Sequence, residues 1–290
     1  VRTHRVIPRL DIKGPNLVKG IHFEGLRVLG KPEAFARHYY LHGADELIYM
    51  DVVASLYGRN SLLDIIAKTS REIFIPLTVG GGIKSVAEVR EVLRAGADKV
   101  AINTAALKSP QLIADASRAF GSSTIQVSIE AIRRPDGRYE AYADYGREST
   151  GKDAVAWAVE AEKLGAGELM VTSIDREGTG KGFDTELVQQ ISTQVSIPVI
   201  AGGGAGAAEH VQSVISKGCA DAVALASLLH YSLIRDQAFN REEFAGEGNT
   251  EFLSGRHPTA TMSSIESTSL GQLKNDLQAA GLAMRIEQAG

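Results

Sequence analysis

Cysteine is nearly absent: Cys219 is the only one in 290 residues. That excludes an internal disulfide and a zinc cluster built on several cysteines. Aromatic residues make up only 6%, too few for an aromatic-rich binding surface. There is no excess of positive charge either. The net charge is −4, so neither nucleic acid nor an anionic membrane is expected as the main partner. An anionic substrate would have to be held by local donors rather than by a basic field. No apolar run reaches the roughly 18 residues of a membrane span, and residues 1–20 lack a signal-peptide core, so a cytoplasmic chain is expected. What is present is ordinary globular composition, 44% apolar and 23% charged, which excludes disorder. Glycine is abundant at 30 residues, which suits tight turns and close approach of backbone to a ligand.

Strand-like runs alternate with helical patterns. Arg5–Ile12, Glu46–Val53, Ile75–Val79, Asp98–Asn103, Thr124–Glu130, Glu168–Ile174, Ile197–Ala201 and Asp221–Ala226 read as eight strands. Most are nearly continuous apolar runs, as parallel strands covered by helices are. Helices are predicted over Ser85–Ala95, Ser109–Phe120 and Asp153–Leu164, with Ser85, Ser109 and Asp153 as caps and Gly96, Gly121 and Gly165 near the ends. Eight β/α units in a chain of this length predict one TIM (β/α)8 barrel over residues 1–290 rather than an open sheet.

The second half echoes the first. Gly43-Ala44-Asp45-Glu46-Leu47 is matched 122 residues on by Gly165-Ala166-Gly167-Glu168-Leu169, and Ile75-Pro76 by Ile197-Pro198. Gly80-Gly81-Gly82 recurs as Gly202-Gly203-Gly204, and Asp98 pairs with Asp221 at an offset of 123. That period is too long for a solenoid unit and fits two half-barrels of four β/α units.

Each glycine triplet follows a strand and precedes a helix, where bare backbone N–H groups can converge on an anion. The next strand ends add polar groups: Asn103 and Thr104 in the first half, Ser227 in the second. Loops after the seventh and eighth strands are the usual phosphate site of this fold. The repeat then implies a second site across the same mouth, suited to an elongated substrate with a phosphate at each end. The alternative is that the glycines merely make tight turns.

Asp11, Asp51, Glu130 and Asp175 lie at or just beyond C-terminal strand ends, the catalytic face of a barrel. Asp11 and Glu130 occupy corresponding places in the two halves and should face each other as a general acid–base pair. No histidine is placed with them to suggest a metal, and no metal or redox cofactor is expected. Lys13 and Lys19 fall on what reads as a mobile first βα loop, where a lysine could close over a phosphate or polarise a carbonyl. Arg5, Glu46, Lys99 and Glu168 start strands one, two, four and six. By themselves they read as polar strand termini, with a salt-bridged plug as the alternative.

Together these residues resemble the family of cyclase subunits of imidazole glycerol phosphate synthase. The likeness runs from Arg5-Val6-Ile7-Pro8 to about Tyr231 and resumes for a final helix near residues 269–285. It is carried by Leu10-Asp11-Ile12-Lys13, Gly43–Leu47 with Asp51, Pro76–Ile83, Asp98–Thr104, Asp175-Arg176-Glu177-Gly178-Thr179 and Ile200–Gly206. The resemblance implies a barrel that takes ammonia from a glutaminase docked at its bottom. It implies conversion of a bisphosphorylated formimino-aminoimidazole carboxamide ribonucleotide to imidazole glycerol phosphate and an aminoimidazole carboxamide ribonucleotide. Asp11 falls at a catalytic acid/base position, and Glu130 at the second catalytic carboxylate. Lys19, Asp51, Gly81, Gly82, Asn103, Thr104, Asp175, Gly178, Gly203, Gly204 and Ser227 are expected to bind substrate or its phosphates. Arg5, Glu46, Lys99 and Glu168 fall on the gate of an ammonia channel, and Asp98 on the partner interface.

Three departures stand out. The family has aspartate where Glu130 stands. Glutamate is longer by one C–C bond, about 1.5 Å, and a misplacement of that size can cost about 100-fold in rate. Family members commonly have serine at Gly202. Residues 233–268 form an added polar segment, read as a long loop before the last helix. The departures also resemble a paralogous branch that uses ammonia to amidinate a surface-polysaccharide sugar. A third reading is a non-catalytic barrel that regulates a glutaminase.

Overall fold

The computed structural model describes residues 3–53, 60–236 and 265–286. Twelve strands follow in chain order among them: β1 (Arg5–Lys13), β2 (Asn16–Ile21), β3 (Glu24–Gly30), β4 (Leu47–Asp51), β5 (Leu77–Gly80), β6 (Lys99–Ile102), β7 (Ile125–Arg133), β8 (Tyr139–Ala143), β9 (Glu148–Asp153), β10 (Glu168–Ser173), β11 (Val199–Gly202) and β12 (Ala222–Leu225). Eight of them close a parallel barrel in the order β1-β4-β5-β6-β7-β10-β11-β12. The half-barrels are sewn together twice, where Ala101 lies opposite Gln126 between β6 and β7 and where Arg5 lies opposite Ala222 between β1 and β12. The eight predicted barrel strands are all present, with ends shifted by at most three residues.

Period-two alternation sorts each strand into two environments. On β1, Val6, Leu10 and Ile12 pack outward in the large cluster between barrel and helices. Ile7 points the other way, into a separate cluster with Ile48, Met50, Ala101, Met170, Ile200, Ala222 and Ala224 that fills the bore. Charged residues stand above and below this apolar layer.

The helices follow the predicted spans closely. Ser85 caps Val86–Ala95 by accepting from the Glu88 N–H, and Asp153 caps Ala154–Lys163 by accepting from Ala156. Ser109 does not cap a helix start: it ends the short helix Thr104–Lys108, and the next helix begins at Gln111 after Pro110. The final helix is Leu270–Ala279, capped by Ser269. Of the added segment 233–268, residues 237–264 lie outside the described residues, and residues 233–236 complete the helix Ser227–Asp236.

Two hairpins were not predicted. The stretch read as a mobile first loop is the antiparallel pair β2–β3 standing on β1, and β8–β9 stands likewise on β7. Their tips obey the repeat. His22 and Phe23 have positive φ, and so do Asp144 and Tyr145, 122 residues later. The two tips meet: the Phe23 and Tyr145 rings pack edge to face with centroids 5.8 Å apart.

The repeat also recurs in hydrogen bonds at the bottom of the barrel. Asp98 accepts from the Leu77 N–H and Asp221 from the Val199 N–H, both at 2.8 Å. Asp45 accepts from Val6 in the same manner. Its counterpart is Gly167, where a Cβ would come within 2.2 Å of the Ser122 carbonyl oxygen, so no side chain fits there.

Candidate active site

Both glycine turns open at the C-terminal end of the barrel. Gly81 and Gly82 follow β5, while Gly203 and Gly204 follow β11, four strands away around the closed order. Positive φ and close backbone contacts make glycine obligatory: a Cβ at Gly81 would meet the Asp51 carbonyl oxygen at 2.3 Å, and one at Gly204 the Gly182 oxygen at the same distance.

A cavity of about 390 Å³ occupies the first side of the mouth. Gly81, Gly82, Asn103 and Thr104 line it, and so do Asp11, Lys19 and Glu130. Lys84, Lys108 and Arg147 add positive charge, while Phe23, Met50 and Tyr145 add apolar wall. A narrower cleft on the second side is lined by Arg9, Lys19, Glu177, Gly178, Gly203, Gly204 and Ser227. Lys19 borders both spaces.

Asp11 and Glu130 therefore share one cavity, from β1 and β7 on opposite sides of the barrel. Their surroundings differ. The Asp11 carboxylate accepts from Arg9 Nε at 2.9 Å and lies 3.6 Å from Lys19 Nζ. One oxygen of Glu130 is buried with no hydrogen-bond partner among the described residues. Burial pushes its carboxyl up to about 7; Arg9 pulls the other way, and the nearby Asp11 and Glu177 charges reinforce the rise.

Lys19 is not a mobile loop lysine. It sits on β2, 4% exposed, in a close ion pair with Glu177. Burial opposes its charge, but Glu177 and Asp11 outweigh that and hold the ammonium protonated. Lys13 is exposed at the end of β1.

Asp51 is buried beneath the first triplet and accepts from the Val53 N–H at 2.9 Å. Its carbonyl oxygen takes the Tyr145 hydroxyl. Thr104 Oγ1 accepts from the Asp144 N–H at 2.9 Å and so ties down the second hairpin. Asn103 Oδ1 and Ser227 Oγ are buried without partners among the described residues. Gly178 packs against Gly20. Asp175 is exposed, accepts from the Arg133 N–H at 3.0 Å and lines neither space. Glu177, two residues on, is the inward carboxylate of that loop. A Cβ at Gly202 would meet Thr172 Oγ1 at 2.8 Å.

At the bottom, the four strand-start charges form a closed ring. Arg5 reaches Glu46 at 2.6 Å and Glu168 at 2.7 Å, and Lys99 reaches the same two carboxylates at 3.0 and 3.2 Å. This is the plug arrangement rather than four independent termini. Above it, Thr78, Ser128 and Thr172 leave hydroxyls without partners among the described residues. Asp98 is exposed on the same face.

Arg9, Glu177 and His230 went unread in the sequence. Charges at three of the four alternate positions of β1 (Arg5, Arg9 and Asp11, with Ile7 the exception) were an available signal that Arg9 points into the bore. His230 is wholly buried, and burial pushes it down to about 3, so it is neutral. Its Nε2 lies 3.0 Å from the Arg9 carbonyl oxygen, which can only accept, so Nε2 carries the proton and Nδ1 accepts from the Tyr39 hydroxyl at 2.7 Å. That chain pins the backbone of Arg9.

Among the described residues there is no cluster of three or more metal-ligating side chains and no helix long and apolar enough to cross a membrane.

Comparison with known proteins gives one consistent result. The model of a family described as "Histidine biosynthesis protein" matches residues 5–235. "Imidazole glycerol phosphate synthase subunit HisF" of Legionella pneumophila is 62% identical over 205 residues, covering 71% of this chain and 97% of the relative. The proteins of the same name from Thermosynechococcus vestitus and Alkaliphilus metalliredigens are 50% and 48% identical over 232 and 230 residues. Those matches cover 78% and 79% of this chain, and 83% and 91% of the relatives.

Proposed function

Because the chain belongs to the histidine biosynthesis protein family, we infer that it is the cyclase subunit of an imidazole glycerol phosphate synthase, a lyase-type enzyme. The observation that carries the mechanism is the unlike pair of carboxylates in one cavity, Asp11 and Glu130, set between two glycine turns. The substrate would be a formimino-aminoimidazole carboxamide ribonucleotide with a phosphate at each end. One phosphate would rest at Gly81, Gly82, Asn103 and Thr104, the other at Gly203, Gly204 and Ser227, so that both ends are fixed before chemistry. Lys19, between the two spaces, would contact the reacting middle, with Gly178 at its side. Asp51 and Asp175 would act on the substrate loops indirectly, through the backbone groups they hold.

Glu130 supplies the proton and Asp11 removes one. A carboxyl titrating near 7 keeps its proton on a large fraction of molecules at neutral pH, whereas Asp11 is ion-paired with Arg9 and Lys19 and serves as the carboxylate. Ammonia adding to the ketose carbonyl gives an imine with loss of water. The ring then closes onto the formimino carbon, and cleavage of the C–N bond releases the aminoimidazole carboxamide ribonucleotide. Each step moves a proton that one of the two groups can carry.

Ammonia would enter from below, from a glutaminase subunit docked on the face that carries Asp98. It would pass the Arg5–Glu46–Lys99–Glu168 ring and the hydroxyls above it. Opening that ring should leave ammonia-fed chemistry intact but disturb delivery. Arg5→Ala is expected to lower glutamine-dependent turnover in the complex several-fold while turnover on ammonium salts persists. Equal loss in both assays would remove the ring from the delivery route.

Feeding ammonium salts with the ribonucleotide tests the whole reading; absence of turnover with the isolated, folded chain would sink it. A sugar-amidinating paralogue is favoured by one observation, the longer Glu130 in place of aspartate. Glu130→Asp separates the two readings: activity on the ribonucleotide should be preserved or raised. A collapse would mean that the longer side chain is tuned to another substrate.

The Glu130 carboxyl also sets a pH dependence. As an acid it is lost as pH rises through about 7, so ammonia-dependent kcat should fall on that limb, and Glu130→Gln should lose the limb along with most of the rate. The sign for stability is the same. Between the ordinary carboxylate range and about 7 the folded chain holds a proton that the unfolded chain has released, so stability declines as pH rises across that window. Melting temperatures at pH 5 and pH 8 should show Glu130→Gln relatively more stable at pH 8; an identical difference at both would contradict it.

A further inference from the structure

Arg9 is the most deeply committed cation in the mouth, 3% exposed at an inward position of β1. Its Nε donates to Asp11, and its guanidinium lies over the Phe23 ring, 5.6 Å from the centroid. Its Nη2 is buried and has no acceptor among the described residues. Burying an ionised donor without a partner is costly, and folded proteins rarely leave one so. The residue lines the narrow cleft beside Gly203, Gly204 and Ser227. There the Ser227 hydroxyl is likewise buried without a partner, at the start of the helix Ser227–Asp236. Two orphaned donors from separate elements therefore border one small space, next to the bare backbone of a glycine turn.

We propose that Arg9 is a ligand-contacting, specificity-determining residue whose Nη2 donates to an oxyanion of the substrate, a phosphate monoester end, in the Gly203–Ser227 cleft. This rests on the reading of that cleft as one of two anion sites. The guanidinium is planar and rigid, so the nitrogen that holds Asp11 and the nitrogen that meets the phosphate keep a fixed separation. Seating the phosphate thereby sets the position of the base that works at the other end of the plane. Lysine, a point charge on a flexible stem, cannot do both. The Tyr39–His230 chain, which grips the Arg9 carbonyl, keeps the β1 backbone from shifting as the side chain engages.

The test is titration of inorganic phosphate into the full, isotopically labelled chain, following backbone amides by NMR. Gly204 and Ser227 report the cleft; Gly82 and Thr104 report the first cavity. Arg9→Lys keeps a positive charge beside Asp11, and its thermal transition shows whether the barrel is intact. It is expected to weaken phosphate at the cleft by about tenfold, the worth of one charge-assisted hydrogen bond, and to leave the first cavity unchanged. Arg9→Gln should weaken the cleft further; if it does not fold, Arg9→Lys alone decides the matter. Unchanged cleft affinity in Arg9→Lys, with Ser227→Ala weakened, overturns the role of Arg9 and leaves the anion site standing. Equal weakening at both sites also overturns it, since the effect would then be general. No response of Gly204 to phosphate in the unmodified chain overturns both the role and the anion site.

Discussion

Asp11→Asn should reduce ammonia-dependent turnover by about 10² to 10⁴-fold, the usual contribution of a positioned acid or base. The substitution preserves shape. An amide oxygen can still accept from Arg9 Nε, which Asp11 now does at 2.9 Å, so the barrel should fold and its circular dichroism should match the parent. What is lost is the capacity to take a proton at the one carboxylate held by both Arg9 and Lys19. The ribonucleotide should still bind, because the glycine turns that would hold its ends are untouched. Single-turnover kinetics with ammonium salts would separate the two effects. Retention of the parental rate would remove Asp11 from the mechanism and leave Glu130 or Glu177 as the remaining carboxylate of the mouth.

The second large effect concerns stability. Lys274, on the last helix, is 3% exposed, yet its ammonium has three acceptors: Asp45 Oδ2 at 2.8 Å, the Gly43 carbonyl at 2.7 Å and the Arg285 carbonyl at 2.9 Å. Asp45 is buried too and also accepts from the Val6 N–H. The pair therefore ties the C-terminal helix to the start of β1 and to the turn before β4. Lys274→Met would fill the volume but strand the Asp45 carboxylate, and removing one partner of a buried pair typically costs about 3–5 kcal/mol. Urea unfolding should show a loss of that order, and Asp45→Asn in the same background should recover part of it. A loss under about 1 kcal/mol would mean that water reaches the pair and screens it as it does at a surface.

Neither effect was equally visible before folding. Asp11 could be found because it lies near the end of an extended run, where every second side chain points the same way. Lys274 could not, since its partners lie 231 residues away in Gly43 and 229 away in Asp45, and only the closing of the last helix over the barrel bottom joins them. The two hairpins were hidden for a different reason. β9 is mostly exposed, and β2 is buried on both sides, so neither shows clean alternation. Pro135-Asp136-Gly137 between β7 and β8 was nonetheless a legible turn signal.

The sequence by itself determined the eight-stranded parallel barrel, its doubling at about 122 residues, the two glycine turns and the family. Those features depend on periodicity and on residue types that only one backbone conformation tolerates. Tertiary structure alone decided which charges meet. It turned four strand-start residues into a closed ionic ring, and it chose Glu177 over Asp175 as the carboxylate facing the cleft. It also set Arg9 between Asp11 and the second turn. The physical reason is that side-chain direction is periodic only while the chain is extended. Past the end of β10 the backbone turns through irregular dihedrals, and orientation there follows from packing rather than from spacing.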